Sequence, residues 1–320
     1  MKLTRRSAIG ALAALTLAGQ ARAAVPQQIT IVVPYPPGGL SDNLARVTGK
    51  VLAQNMGIPV IVENKPGANG VLGLQQIAHA KADGATIGMV PASVMTVNPA
   101  LYKTMKVDTV KDLEMLTLAI TLPNVLVVHP SLPVHTMQEL LAYLRNAGGK
   151  VSYGSMGTGS SAHLNGELLS RIARLDITHV PYKGSAPAMQ DLMAGNIQMA
   201  FENLPVALPF IQSGKLRAIG VTSTEPSPQA PDIPPIGRSI PGFEDNIWFG
   251  FIAPAGLPRD VAAKLSAQLV KTIQSDEVSK PMRERGAAIT TSTPEEMRKV
   301  VVRERDKWAE LVAERKISVE

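Results

Sequence analysis

Short runs of β-branched and other apolar residues alternate with helix-period stretches through most of this 320-residue chain. That alternation restricts it to an α/β architecture built on parallel strands with crossover helices. Ile29, Ile31, Val32 and Val33 read as a first strand, and residues 60–63, 86–90, 125–129, 151–155, 178–181, 199–202, 216–221 and 248–253 read as further strands. Helices fit between them. Thr136 with Glu139, and Thr293-Pro294-Glu295-Glu296, carry the spacing of a capping box, the second with proline at the first helical position. Val261, Leu265, Leu269 and Ile273 form one apolar stripe, and Met297, Val301, Trp308, Leu311 and Val312 another; both read as core-facing seams. The proline-rich stretch 223–241 has no periodic apolar face and reads as an ordered crossing loop. A chain that crosses to a second lobe near 120–125 and returns near 245 makes two α/β lobes with a cleft between them, joined by a hinge rather than a flexible linker.

Three strand-to-helix junctions stand out. The first carries Gly38-Gly39 ahead of a helix marked by Leu44, Val47, Val51 and Leu52. The second runs Gly154-Ser155-Met156-Gly157-Thr158-Gly159-Ser160-Ser161, with Ser160 or Ser161 as the N-cap, and the third is Tyr182-Lys183-Gly184-Ser185. Glycine lets backbone approach a ligand, and the free N–H groups of a first helical turn form an anion site. In open α/β sheets such turns lie at the carboxyl ends of strands, where ligands bind. Gly38-Gly39 from one lobe and Gly159-Ser160 from the other then hold the two ends of an elongated dianion. Asp42 is placed to cap or rigidify the first turn or to meet ligand, and Ser93 to line the cleft or to serve as a turn hydroxyl.

Residues 1–23 combine Lys2, Arg5 and Arg6, an apolar run from Ala8 to Ala18, and Ala21-Arg22-Ala23. This is the pattern of an export signal cleaved after Ala23, with the Sec and twin-arginine routes both open. Removing the four cationic residues of that segment takes the formal charge from +6 to +2. No basic stripe remains, so nucleic acid is not an expected partner. Aromatic residues are 4% of the chain, too few for the stacking platforms of a sugar site. Cysteine is absent, which removes disulfides, thiolate nucleophiles and Cys–metal sites. The five histidines, His79, His129, His135, His163 and His179, show no compact ligand spacing, so neither metal nor cofactor is expected. His163 follows Ser160 and Ser161 closely, but no G-x-S-x-G elbow surrounds them, and a hydrolytic reading has little support.

The motifs PPGGLSDNLAR (36–46), VENKPGANG (62–70), GTGSSAHL (157–164), HVPYKGSAPAMQDLMAGNIQMAFENLP (179–205), GKLRAIGVTS (214–223) and WFGFIAPAGLP (248–258) occur in fixed order along the chain. In this the chain resembles the extracytoplasmic solute receptors of tripartite tricarboxylate transport systems, the Bug proteins. The resemblance implies a two-lobed periplasmic binding protein, type II-like, with lobe one formed by residues 24–122 and 246–320 and lobe two by 123–245. It implies a monomeric periplasmic receptor, not an enzyme, that closes over a di-, tri- or aromatic carboxylate and delivers it to membrane transporter subunits. Presentation of the ligand to a membrane sensor kinase is the alternative. Carried onto this chain, the resemblance nominates Tyr35, Gly38, Gly39 and Asp42 from lobe one, and Thr158, Gly159, Ser160 and Ser161 from lobe two. Glu202 occupies a position usually held by aspartate in the family, and the longer acid is expected to shrink the pocket or shift a water there.

Overall fold

The computed structural model describes residues 26–319. The expected export signal lies outside the described residues. Lobe one is a sheet in the order β2 (Val60–Asn64), β1 (Ile29–Val33), β3 (Thr86–Pro91), β9 (Asn246–Pro254) and β4 (Leu113–Val128). The first three are mutually parallel, whereas β9 runs antiparallel to both β3 and β4. One face is covered by α1 (Leu40–Met56), α9 (Arg259–Gln274) and α10 (Asp276–Glu284), which bury Leu44, Leu52, Leu265, Leu269 and Ile273 against Ile29, Ile31, Met89 and Phe251. The other is covered by α2 (Val71–Ala78), α3 (Ala92–Thr96) and the start of α11 (Pro294–Glu314), around Val32, Val90, Trp248 and Ile252.

Lobe two uses the far end of β4 together with β7 (Met199–Asn203), β8 (Arg217–Val221), β5 (Ser152–Ser155) and β6 (Thr178–Pro181). Helices α5 (Met137–Ala147) and α6 (Ser161–Ala173) cover one face, and α7 (Ser185–Met193) and α8 (Leu204–Gln212) the other. The proline-rich loop is ordered, and its Ile236 and Ile240, with Phe243 just after it, join the lobe-two core.

β4 is the largest departure from the sequence reading. It is one strand of 16 residues, about 50 Å long at roughly 3.3 Å per residue, where only its second half reads as strand in the sequence. The first half, Leu113–Leu122, is apolar with little alternation, a pattern that periodicity alone does not distinguish from a buried helix, and Pro123 then reads as a break. In the structure Pro123 is where β4 changes partners: residues through Pro123 pair with β9, and from Asn124 onward with β7 and β8. The returning chain is bound to the same point. Thr222 N–H donates to Asn124 O at 2.9 Å, Asn124 N–H to Thr222 Oγ1 at 2.9 Å, and Asp245 N–H to Thr222 O at 2.9 Å. The two crossings are therefore tied to each other by hydrogen bonds.

Helix α11 serves both lobes. Its Met297 and Val301 enter the lobe-one core, and its Trp308, Leu311 and Val312 enter the lobe-two core beside α6. Thr293 forms the full capping box with Glu296 at its start. No helix among the described residues is long and apolar enough to cross a membrane.

Candidate functional site

The junctions before α1 and α6 face each other across a cleft of about 750 Å³ between the lobes. That volume suits a small organic ligand. Before α1, Gly38 has φ +95° in the left-handed region, and Gly39 is an N-cap with no side-chain cap. A Cβ at either glycine would meet nothing within 4 Å, so both backbones border open space. The first-turn N–H groups of α1 have no intrahelical acceptor, and the helix dipole places positive potential there. Gly39, Leu40 and Ser41 line the cleft.

Asp42 holds this loop from behind. It is 3% exposed; Oδ2 accepts from Gly38 N–H at 3.0 Å and Arg46 Nε at 2.9 Å, and Oδ1 accepts from Asn64 Nδ2 at 2.9 Å. The Arg46 hydrogen bond holds its carboxyl below the usual carboxylate range. Asn64 Nδ2 also reaches Tyr35 O at 3.0 Å, and Tyr35 Oη donates to Asn69 Oδ1 at 3.1 Å. Asp42 and Gly38 are thus support, and neither is among the residues lining the cleft.

The lobe-two loop is shaped by Gly157 (φ +131°) and Gly159 (φ +79°). A Cβ at Gly159 would come within 2.5 Å of Leu101 Cδ1, in α4 (Asn98–Leu101), so a larger residue would have to displace that side chain as well as adopt the left-handed backbone angle. Ser160 is the N-cap of α6, its Oγ accepting from His163 N–H at 3.3 Å. Ser161 Oγ accepts from Asn124 Nδ2 at 3.2 Å, which ties the hinge to the loop. The N–H groups of Ser161 and Ala162 belong to the uncapped part of the first turn. Thr158, Gly159, Ser160 and Ser161 all line the cleft, facing Tyr35, Gly39 and Ser93.

His163 is buried and turned inward, away from both serine hydroxyls: its Nδ1 accepts from Gly159 N–H at 3.1 Å. Among the described residues the His163 ring therefore pairs with neither Ser160 nor Ser161. Glu202 is also buried; its carboxylate accepts from Asn203 N–H at 2.8 Å, and burial pushes it above the usual range. It does not line the cleft, so its length does not set the pocket size. The adjacent Asn203 does line it, with a buried Oδ1 that has no hydrogen-bond partner among the described residues. Asn69, Tyr102 and Met156 complete the polar and apolar walls, and Leu122, Ile247 and Phe249, on β4 and β9 at the crossing, form the floor. Sequence reasoning missed these. Asn69 stands in the VENKPGANG motif with φ +49°, a conformation that a side chain able to hydrogen-bond locally tolerates best, and that was its available signal. Asn203 follows the acid that drew attention in its place.

None of the lining residues is charged. Among the described residues no group of three or more His, Asp or Glu side chains is arranged to hold a metal ion. The site therefore offers an anion backbone amides, hydroxyls, amide side chains and two helix N-termini, beside apolar walls suited to a carbon skeleton.

The model of the tripartite tricarboxylate transporter family receptor matches residues 44–317. BugT of Bordetella pertussis is 33% identical over 288 residues, covering 89% of this chain and 88% of that protein. Among solved structures, R. palustris Rpa4515 with adipate is similar at 31% identity and a TM-score of 0.77, covering 92% of this chain and 99% of that one. MatC from Rhodopseudomonas palustris with bound malate is similar at 28% identity and a TM-score of 0.73, covering 90% and 99%.

Proposed function

The chain belongs to the tripartite tricarboxylate transporter receptor family, a family of periplasmic solute-binding proteins, and from that membership we propose that its interlobe cleft captures a small carboxylate for delivery to membrane transporter subunits. The observation that carries this reading is the convergence of two helix N-termini, at Gly39–Ser41 and Ser160–Ser161, on one uncharged cleft. Backbone donors and helix dipoles supply the positive potential that arginine provides elsewhere. Tyr35, Gly39, Ser93, Thr158, Gly159, Ser160 and Ser161 face the ligand, Gly38 and Asp42 hold the first loop, and Asn203 offers a polar contact deeper in. Residues 24–122 with 246–320 close on 123–245 by bending where Asn124 and Thr222 are bonded. The protein acts after export, as a monomer and without covalent chemistry. The relatives solved with adipate and malate make those two acids the first probes.

The test uses residues 24–320, unfolded and refolded to strip bound metabolites, in thermal-shift titrations with malate, adipate, citrate and benzoate. A ligand bound only by the folded state raises the melting temperature by mass action. A saturable shift with at least one of these acids is expected; indifference to mono-, di-, tri- and aromatic carboxylates alike would count against the reading.

A further inference from the structure

Two imidazoles lie stacked beneath the lobe-two half of the cleft. The rings of His163 and His179 have centroids 3.8 Å apart and planes 17° apart. Each is tied to one of the glycines that shape the ligand-facing loop. Gly159 N–H donates to His163 Nδ1 at 3.1 Å. Ser155 Oγ accepts from Gly157 N–H at 3.1 Å, donates to Gly157 O at 3.1 Å, and stands 2.7 Å from His179 Nε2, which is then the donor to it.

An imidazole that accepts at Nδ1 is neutral, with its proton on Nε2. Protonation turns that acceptor into a donor pointing at another N–H, and the Gly159 bond is lost. Charging both rings also places two cations face to face at 3.8 Å. The groups facing the pair offer little compensation. From α6, Glu167 Oε1 stands 3.8 Å from His163 Nε2. Its charge is already engaged: Oε2 accepts from Arg315 Nε at 2.6 Å, beyond the end of α11, and Oε1 from Tyr153 Oη at 2.7 Å, on β5. Arg315 also reaches Ser170 Oγ on α6 at 3.0 Å, and the Tyr153 ring stacks obliquely on His179 at 5.0 Å. The surroundings are thus one matched ion pair, a phenol and two hydroxyls.

We propose that the stacked His163–His179 pair is the positioning element of the lobe-two half of the binding site, and that ligand binding requires His163 to be neutral, so that acid loosens the Gly157–Ser161 loop and releases the ligand. This inference rests on the carboxylate-receptor reading of the same cleft and names its regulation. Burial holds both histidines below their ordinary range, His163 against the pull of Glu167, and His179, further disfavoured by its neighbour, at about 4. A folded-state pKa depressed below the unfolded one leaves the neutral pair intact near neutrality. Its contribution is lost as pH falls below the unfolded value of about 6.5 and through the folded one.

The experiment measures affinity by calorimetry between pH 7.5 and 4.5, using whichever of malate, adipate or benzoate gives the largest thermal shift, on wild type, H163Q, H179Q and H163L. In parallel, the ligand-free proteins are followed through the 15N resonance of His163 Nδ1 and the exchange of the Gly157 and Gly159 amides, corrected for the intrinsic rate at each pH. Ratios of variant to wild-type affinity at one pH cancel the ligand's own protonation. Wild type is expected to lose about tenfold in affinity between pH 6 and 4.5 beyond the loss in H163Q, whose amide oxygen accepts the Gly159 N–H without titrating. H163L, with no acceptor, is expected to bind about tenfold more weakly at every pH. The Gly159 amide loses protection in acid in wild type and keeps it in H163Q. Identical acid profiles in wild type, H163Q and H179Q would overturn the proposal while leaving the receptor reading intact. A silent ligand panel with acid-labile Gly159 protection would overturn the receptor reading and support the positioning role. If H163L does not fold, the H163Q and H179Q profiles and the wild-type amide data decide alone.

Discussion

The loop before α1 is pinned by a carboxylate, whereas the loop before α6 is pinned by imidazoles. Asp42 takes the Gly38 N–H together with Arg46 and Asn64, and the arginine keeps it ionised well below neutral pH. His163 and Ser155, the latter backed by His179, take the corresponding glycine N–H groups in lobe two. Both devices fix a glycine loop so that its helix N-terminus is ready for an anion. They differ in what the anion sees. A carboxylate behind the lobe-one loop subtracts from the positive potential at α1, partly offset by Arg46, whereas the neutral imidazoles subtract nothing at α6. The two halves of the cleft therefore differ in what stands directly behind the loop, an ion pair in lobe one and a neutral imidazole in lobe two.

Breaking the loops themselves should have the largest effect. G38V and G157V each force a β-branched residue into the left-handed region, a strain of about 1–3 kcal/mol, and each should weaken ligand affinity by about tenfold to a hundredfold in calorimetry. Equal losses would show that both loops carry the ligand; a loss confined to G157V would place the anion in lobe two alone.

Removing the lobe-one clamp comes next. D42N keeps the shape but gives up a charged acceptor, and it should lower affinity by about tenfold or less. Because the folded pKa of Asp42 lies below its unfolded value, its stabilising contribution is complete above about pH 4 and is lost only as pH falls through the lower, folded value. The D42N defect should thus stay constant from pH 8 to 5, in contrast to the acid-dependent defect assigned to the imidazoles. A D42N penalty that varied across that window would erase the contrast between the loops.

The smallest effect sharpens the comparison from outside it. T293A removes the capping box of α11 and should cost about 1 kcal/mol in chemical denaturation without changing affinity. A change in affinity would mean that α11, which enters both cores, transmits its own stability to the cleft.

Much of this molecule was legible in local patterns. Glycines at φ +95°, +131° and +79°, and a serine N-cap accepting from the third residue of its helix, have sequence signatures because the constraint and the residue that meets it are neighbours. The strands were legible for the same reason, apart from the first half of β4, where a continuous apolar run hid its period, and the two-residue strand Ala288–Ile289 that pairs with it, too short to show one. What remained hidden depends on distant partners. Glu167 meets Arg315, which is 148 positions away, and His163, on a helix, stacks on His179 of the strand β6. The floor residues Leu122, Ile247 and Phe249 are strand residues like any others in the sequence, and only the crossing of β4 and β9 brings them beneath a cavity. Glu202 and Asn203 illustrate the limit: the more conspicuous side chain is buried away from the cleft wall, and its neighbour lines it.

The place of β9 in the lobe-one sheet has a consequence for how the chain acquires its structure. The strands of lobe two, from Asn124 to Val221, lie in one continuous stretch, so that sheet can assemble from its own segment. Lobe one cannot. Its sheet stays open between β3 and β4 until residues 246–254 arrive and pair with both. Because such long-range pairing pays its loop-closure entropy before it is rewarded, lobe one is the slow half to fold. The strand that completes the lobe-one sheet is thus the same one that brings the chain back from lobe two, and α11, which follows it, packs on both cores.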